Sequence, residues 1–259
     1  MRARARLVVA RDDAGRTVVR ELRSMTPLTL VPRRPRVRAR DGDDAATVHL
    51  VSSATAPLGG DELDLTVVVG PGAGLRLHGV AATLALPGHH PGGSGADVRI
   101  EVAEGGWLEY LPEPTVVTAR ADHTATLRVD LASDARFRSR EVLVLGRSGE
   151  RAGRLRSTVH LTRAGEPLLR QRVDVGEAWL DASAAHLAGR RVLATELLVW
   201  GPDPAEPASG DWWSLVPLAR GGSMATALAA DAVTAHHALA TAVAAHPGLR
   251  ETIPRHSNG

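Results

Sequence analysis

The sequence predicts a mainly β protein: a large, multi-stranded β-rich single domain, a sandwich or helix-like β core, with one or two helices, the clearest near the C-terminus. Three observations carry this. Apolar and polar residues alternate along many short segments, turn signals recur between them roughly every dozen residues, and a helical pattern emerges only at the end of the chain.

The elements follow in order. ARLVVARDD runs into the turn Asp12 to Gly15 and then RTVVRELRS, a hairpin with a glycine-containing loop. The run VPRRPRVRAR, residues 31–40, is basic and proline-bearing and reads as an edge strand whose charges discourage aggregation. ATVHLVSS is the next strand. In DELDLTVVVGPGAGLRLHG, Leu63, Leu65, Val67 and Val69 alternate with Asp64, Thr66 and Val68, the signature of a half-buried strand closed by the turn GPGAG. ADVRIEVAEGGWLEYL, TATLRVDLAS, REVLVLGRSGE, LRSTVHLTRAGEPLLRQRVDV and RRVLATELLVWG repeat the pattern, without a fixed-length repeat. Gly201 to Asp211 is a proline-rich polar loop. From about Ser223 to Ala245 the alanine-rich stretch predicts a helix with a serine cap and a stop at HPG. The division expected is a β-rich part over 1–222 and a C-terminal helix and tail over 223–259, packed on or beside it.

Composition narrows the chemistry. The 259 residues are ample for a core, and 44% of them are hydrophobic, but only 3% are aromatic, so aliphatic side chains must fill the interior. The absence of cysteine excludes a disulfide frame, a thiolate nucleophile and a cysteine zinc site. All 31 basic residues are arginine, which excludes a phosphate-loop lysine, a Schiff base and a lysine general base. A net charge of +2 gives no nucleic-acid footprint. The N-terminal apolar run is too short for a signal peptide, and no segment has the length of a membrane helix. The expectation is a soluble cytoplasmic protein that binds neither nucleic acid nor membrane.

Few motifs suggest catalysis. His89–His90 and His236–His237 are adjacent pairs without the i, i+4 spacing of a zinc helix. GGSGA around Ser94 lacks the Gly-x-Ser-x-Gly of a nucleophile elbow. LGRSGERAG, residues 145–153, reads as a hairpin tip in which Arg147 and Glu150 pair across a turn. In EGGWLEYLPEPTVV, Glu109 and Glu113 lie four apart, but Pro112 and Pro114 forbid a regular central strand, so no regular element fixes their separation. A glycosidase pair needs a set separation and aromatic platforms. A structural or partner-facing motif is the better reading.

WLEYLPEPTVV resembles the signature of the urease accessory protein UreD (UreH) family. Two further blocks agree in order: PLGGDELDLTVVVGPGAGLRLHGVAAT, Pro57 to Thr83, and SREVLVLGRSGERAGRLRSTVHLTRAGEPLLRQR, Ser139 to Arg172. The latter resembles a Glu-x-x-x-x-Gly-Arg block with a shortened gap before its Gly-Glu. The resemblance spans roughly Arg4 to Gly201. HGVAATL, residues 78–84, departs from the family's Thr-Thr-Gln-Ala-Ala-Thr-Lys run and keeps only Ala81, Ala82 and Thr83.

The resemblance implies a β-rich fold without catalytic activity. It implies a scaffold that binds apo-urease and the accessory proteins UreF and UreG, the nickel-bringing GTPase. It also implies a polar path that conducts Ni²⁺ in transit, with no tightly bound cofactor. Ni²⁺ in transit suits weak oxygen or imidazole ligands. Asp61, Glu109, Glu141 and Glu150 fall in the matched blocks and are candidates to line the path, with Thr83 as a neutral hydroxyl. Arg147 and Tyr110 are supporting residues, Arg147 by pinning a carboxylate. Each carboxylate also has a plain reading as a turn cap or ion pair. The competing function is a β-sandwich module or hydrolase for carbohydrate or peptide, with a cleft built from Trp107, Tyr110, Trp179, Trp212 and Trp213.

Overall fold

A computed structural model of the chain describes residues 1–33, 44–89 and 92–250. Within them the strands are β1 (Arg2–Arg11), β2 (Thr17–Arg23), β3 (Leu28–Pro32), β4 (Ala46–Ser52), β5 (Glu62–Val69), β6 (Gly74–Gly79), β7 (Thr83–Ala85), β8 (Ser94–Val102) and β9 (Trp107–Leu111). They continue as β10 (Thr115–Val117), β11 (Asp122–Leu131), β12 (Arg136–Leu145), β13 (Arg154–Arg163), β14 (Glu166–Val175), β15 (Val192–Val199), β16 (Ala208–Gly210), β17 (Trp213–Pro217) and β18 (Ser223–Ala229). The helices are α1 (Ala178–Asp181), α2 (Ala232–Ala244) and α3 (Pro247–Arg250). The mainly β expectation holds.

Two sheets face each other. The smaller runs β14-β13-β11-β8-β5-β1-β2; the larger runs β16-β17-β18-β15-β12-β9-β6-β4-β3, with β10 beside β12 and β7 beside β10. Between β5 and β13 the chain passes back and forth from one sheet to the other, so neighbours within a sheet are parallel, as in the coils of a solenoid. The register explains why no fixed repeat is visible in the sequence. Glu62 lies opposite Gly95, Ser94 opposite His123 and Asp122 opposite Arg154, so the coil length changes at each pass. The smaller sheet is finished at both ends by antiparallel hairpins, β1–β2 and β13–β14, each with a register shift of the bulge type. The first is the hairpin expected from ARLVVARDD and RTVVRELRS.

Period-two alternation points one set of side chains between the sheets. Leu7, Val67, Ile100, Val129, Phe137 and Leu161 form an aliphatic cluster toward one end of the strands. Ala85, Val117, Leu143, Leu145, Leu155 and Val175 form a second toward the other. Each fully buried aliphatic side chain contributes roughly 1.5–3 kcal/mol of transfer free energy, which is how a core with a single phenylalanine suffices.

Two expectations are corrected, the C-terminal helix and the hairpin tip. The helix expected from Ser223 starts at Ala232; Ser223–Ala229 is a strand hydrogen-bonded between β15 and β17. Its Ser223, Ala225, Ala227 and Ala229 are buried in alternation, a period-two pattern hidden because alanine reads as a helix former. The helix cap is Asp231, which accepts from Thr234 N–H at 2.9 Å, and the buried stripe Ala235, Leu239, Ala242 and Val243 covers Val142, Ala194, Leu198 and Leu215 of the larger sheet. LGRSGERAG is not a hairpin tip: it carries the chain from β12 in one sheet to β13 in the other. The basic run 31–40 begins in β3, which is the outermost strand of the larger sheet, and its remainder, 34–40, lies outside the described residues.

Candidate functional site

On three strands the inward alternation is interrupted by polar residues. Along β12 the inner face reads Phe137, Ser139, Glu141, Leu143; along β13 it reads Leu155, Ser157, Val159, Leu161; β11 begins its inner face with His123. These residues fall between the two aliphatic clusters, where small and polar side chains leave a cavity of ≈ 190 Å³. Tyr110, Ser139, Glu141, His123, Ser157 and Thr195 line it.

Glu141 lines this cavity, half-buried by its exposed surface but closely surrounded by protein. Desolvation pushes its carboxyl pKa up, and a 2.7 Å hydrogen bond donated by Ser157 Oγ partly offsets the shift. Among the described contacts no cation pairs with it. Tyr110, which is buried, has its phenol pKa raised by desolvation and then by the charge of Glu141. On the facing sheet His123 is 4% exposed, and desolvation lowers its pKa to about 4. Its Nδ1 shares a 2.8 Å hydrogen bond with Ser94 Oγ. The serine of a hydrolytic triad meets Nε2 instead, with a carboxylate on Nδ1. Ser94 is therefore placed as an orienting partner of a neutral imidazole, in the middle of a sheet rather than on an elbow.

The other residues singled out in the sequence lie elsewhere. Glu109 is on the outer face of β9, where Arg76 Nε donates to it at 3.2 Å and Arg138 Nη1 at 3.1 Å; Arg138 Nε also donates to the buried Glu196 at 2.5 Å. The four form a charge ladder across β6, β9, β12 and β15. Asp61 is buried in a turn, where it accepts from Leu58 N–H at 2.8 Å and from the Met1 ammonium at 2.5 Å. Glu150 is clamped by Arg147, which donates through its backbone N–H, Nε and Nη2 at 2.9–3.0 Å and holds the carboxyl down at about 2. Thr83 opens β7 and lines the cavity beside Glu113. The structure thus gathers Glu141, Tyr110 and Thr83 on the cavity and sets Asp61, Glu109, Glu150 and Arg147 apart from it, each in its own ion pair. His123, Ser139, Ser157 and Thr195 were not singled out, although each shares strand parity with buried aliphatic neighbours.

The aromatic residues do not form one cleft. Trp107 stands edge-on to Trp200 at 5.6 Å with Arg76 over its ring, Tyr110 is interior, and Trp212 carries Arg190 at 3.8 Å. Among the described residues no group of three or more histidine, aspartate or glutamate side chains is arranged to hold a metal ion, and no helix is long and apolar enough to cross a membrane.

Stacked coils around an aliphatic interior with a polar cavity in it define a β-solenoid-like scaffold. Comparison with known proteins narrows this class. The model of the UreD urease accessory protein family matches residues 1–257. The urease accessory protein UreD 1 of Saccharopolyspora erythraea is 61% identical over 247 residues, covering 95% of this chain and 96% of the relative. UreD of Parafrankia sp. is 40% identical over 258 residues, covering 90% and 84%, and UreD of Streptomyces coelicolor is 36% identical over 252 residues, covering 94% and 96%. The chain belongs to the UreD family of urease accessory proteins, non-catalytic factors of urease maturation. The match continues past Gly201, where the resemblance read from the sequence stopped.

Proposed function

We propose that this chain is the scaffold on which apo-urease meets the UreF and UreG accessory proteins in the cytoplasm, and that Ni²⁺ reaches urease through the cavity between the sheets. Glu141 carries the reading. It is a cavity-lining carboxyl with a hydroxyl partner and, among the described residues, no arginine, in a protein that holds its buried Glu196 and Asp61 with cations. A cation in transit supplies the missing charge. Because burial favours the protonated acid, binding exchanges a proton for the metal, and the same exchange reversed releases it. Oxygen donors from Glu141, Ser157 and Tyr110, with the His123 imidazole opposite, are few and hard enough to bind Ni²⁺ weakly and let it leave.

The test is to express the cognate urease operon with this chain, without it, and with Glu141→Gln, and to measure urease activity and nickel bound per urease. Both quantities fall without the chain while urease subunits persist. With Glu141→Gln both fall although the chain still copurifies with UreF and urease. Full nickel loading by the variant overturns the cavity route, and full loading without the chain overturns the maturation role.

A further inference from the structure

The cavity has a wall with a built break in it. β9 pairs with β12 over Arg136–Ser139, and β10 pairs with β12 over Leu143–Leu145. Residues 140–142 of β12 have no strand beside them on that side, although β15 continues along the other. The chain crosses the interval as Pro112-Glu113-Pro114. Two prolines lack the N–H groups that a ladder requires, so the crossing cannot knit into the sheet. Gly79 fixes where it runs: a Cβ at that position would lie 2.5 Å from Glu113 N, so only glycine lets the crossing press against the end of β6. Thr83 N–H donates to Pro114 O at 2.8 Å and holds the far side.

The cavity reaches this break. Pro112, Glu113, Thr115 and Arg140 contribute to its lining, and the Glu113 side chain is 39% exposed, so a single residue borders both the interior and solvent. Arg140 and Glu141 are consecutive and point to opposite faces of β12. Here the wall between outside and inside is one strand thick, with arginine on one side and the interior carboxyl on the other. The rim pair is loose. Arg140 Nη2 stands 4.0 Å from Glu113 Oε1, beyond hydrogen-bond distance, and Arg140 Nε is buried with no hydrogen-bond partner.

We propose that the Pro112–Pro114 break is a portal joining the cavity to solvent, with Glu113 and Arg140 as a charged rim that admits a small divalent cation. Glu113 offers the first oxygen ligand; Arg140 repels cations until it swings away, and Glu141 is the next carboxyl inward. That the cation is nickel rests on the function proposed above; the portal does not.

The natural chain has no cysteine, so Ser139→Cys places a single thiol on the cavity wall. Its rate of reaction with the cationic reagent 2-(trimethylammonium)ethyl methanethiosulfonate, in the folded full-length chain, reads access to the cavity. Adding Arg140→Ala removes the like charge and widens the rim, and speeds labelling about tenfold. Adding Glu113→Trp fills the rim and slows labelling at least as strongly. Glu166→Cys, at the exposed start of β14, labels at one rate in all backgrounds. A Ser139→Cys thiol that never reacts, or one whose rate ignores both rim variants, overturns the portal. The assay needs neither nickel nor urease. Blocked labelling in Glu113→Trp with full nickel loading of urease would keep the portal and overturn the nickel route.

Discussion

Glu109 and Glu141 sit on adjacent strands of one sheet and face opposite ways. Outside, Glu109 is held by two arginines in a ladder that ends on Glu196. Inside, Glu141 has a serine hydroxyl. Both carboxyls are largely withdrawn from water, but only one is neutralised by charge. The contrast separates what a buried acid does for the fold from what is left for a ligand. A carboxylate with its cations in place has no free valence, and one without them is kept protonated by burial until something replaces the proton.

The ladder gives the largest expected effect. Arg138→Met strips the cation from Glu196, which is 3% exposed, leaves Glu109 with Arg76 alone, and should cost about 3–5 kcal/mol in urea unfolding. A loss within experimental error would mean that the outer ladder is as dispensable as a surface pair. Next is His123. Its folded pKa of about 4 lies below the ordinary 6.5, so the unfolded chain takes up the proton first; stability is full above pH 6.5 and falls as pH drops toward 4. The loss across that window is on the order of 3 kcal/mol, and His123→Asn flattens it. Gly79→Ala pushes a methyl into the backbone of Glu113 and should cost about 1–3 kcal/mol, while also disturbing the portal.

Glu141→Gln has the opposite sign. The raised carboxyl pKa means that stability is lost as pH rises through it. A neutral amide that keeps the Ser157 contact should therefore unfold at higher urea at pH 8, by about 1 kcal/mol, while nickel transfer fails. A destabilised Gln variant would show that the carboxylate serves packing after all. Smallest is Arg147→Ala: its pair with Glu150 lies at the surface with the arginine exposed, and the unfolding midpoint should stay where it is.

Strands and turns were legible because alternation is a local property. The coil architecture was not, since it depends on register between segments whose spacing changes at each pass. The β18 strand was misread because alanine alternation has no amphipathic contrast. Of the site, Glu141 carried a readable signal: it shares parity with Phe137, Leu143 and Leu145, so it had to point with them into the core. His123 carried the same signal through Leu127, Val129 and Leu131, and was passed over for want of a motif. Glu109 has the parity of the exposed side of its strand, opposite Leu108 and Tyr110, and that alone would have placed it outside. No such rule finds the portal, because it exists only where two separate pairings with β12 leave a gap.

The hairpins that finish the smaller sheet have a consequence for assembly. A stack of parallel coils has no intrinsic length: its last strand is a template for one more, whether from the same chain or from another molecule. Here both terminal strands reverse direction, are kinked by a register shift, and carry charges, Arg20, Glu21 and Arg23 on β2 and Glu166, Arg170, Arg172 and Asp174 on β14. Both edges of the smaller sheet thereby oppose strand addition, so a stack of coils that could in principle be extended is closed off on this side by its own end hairpins.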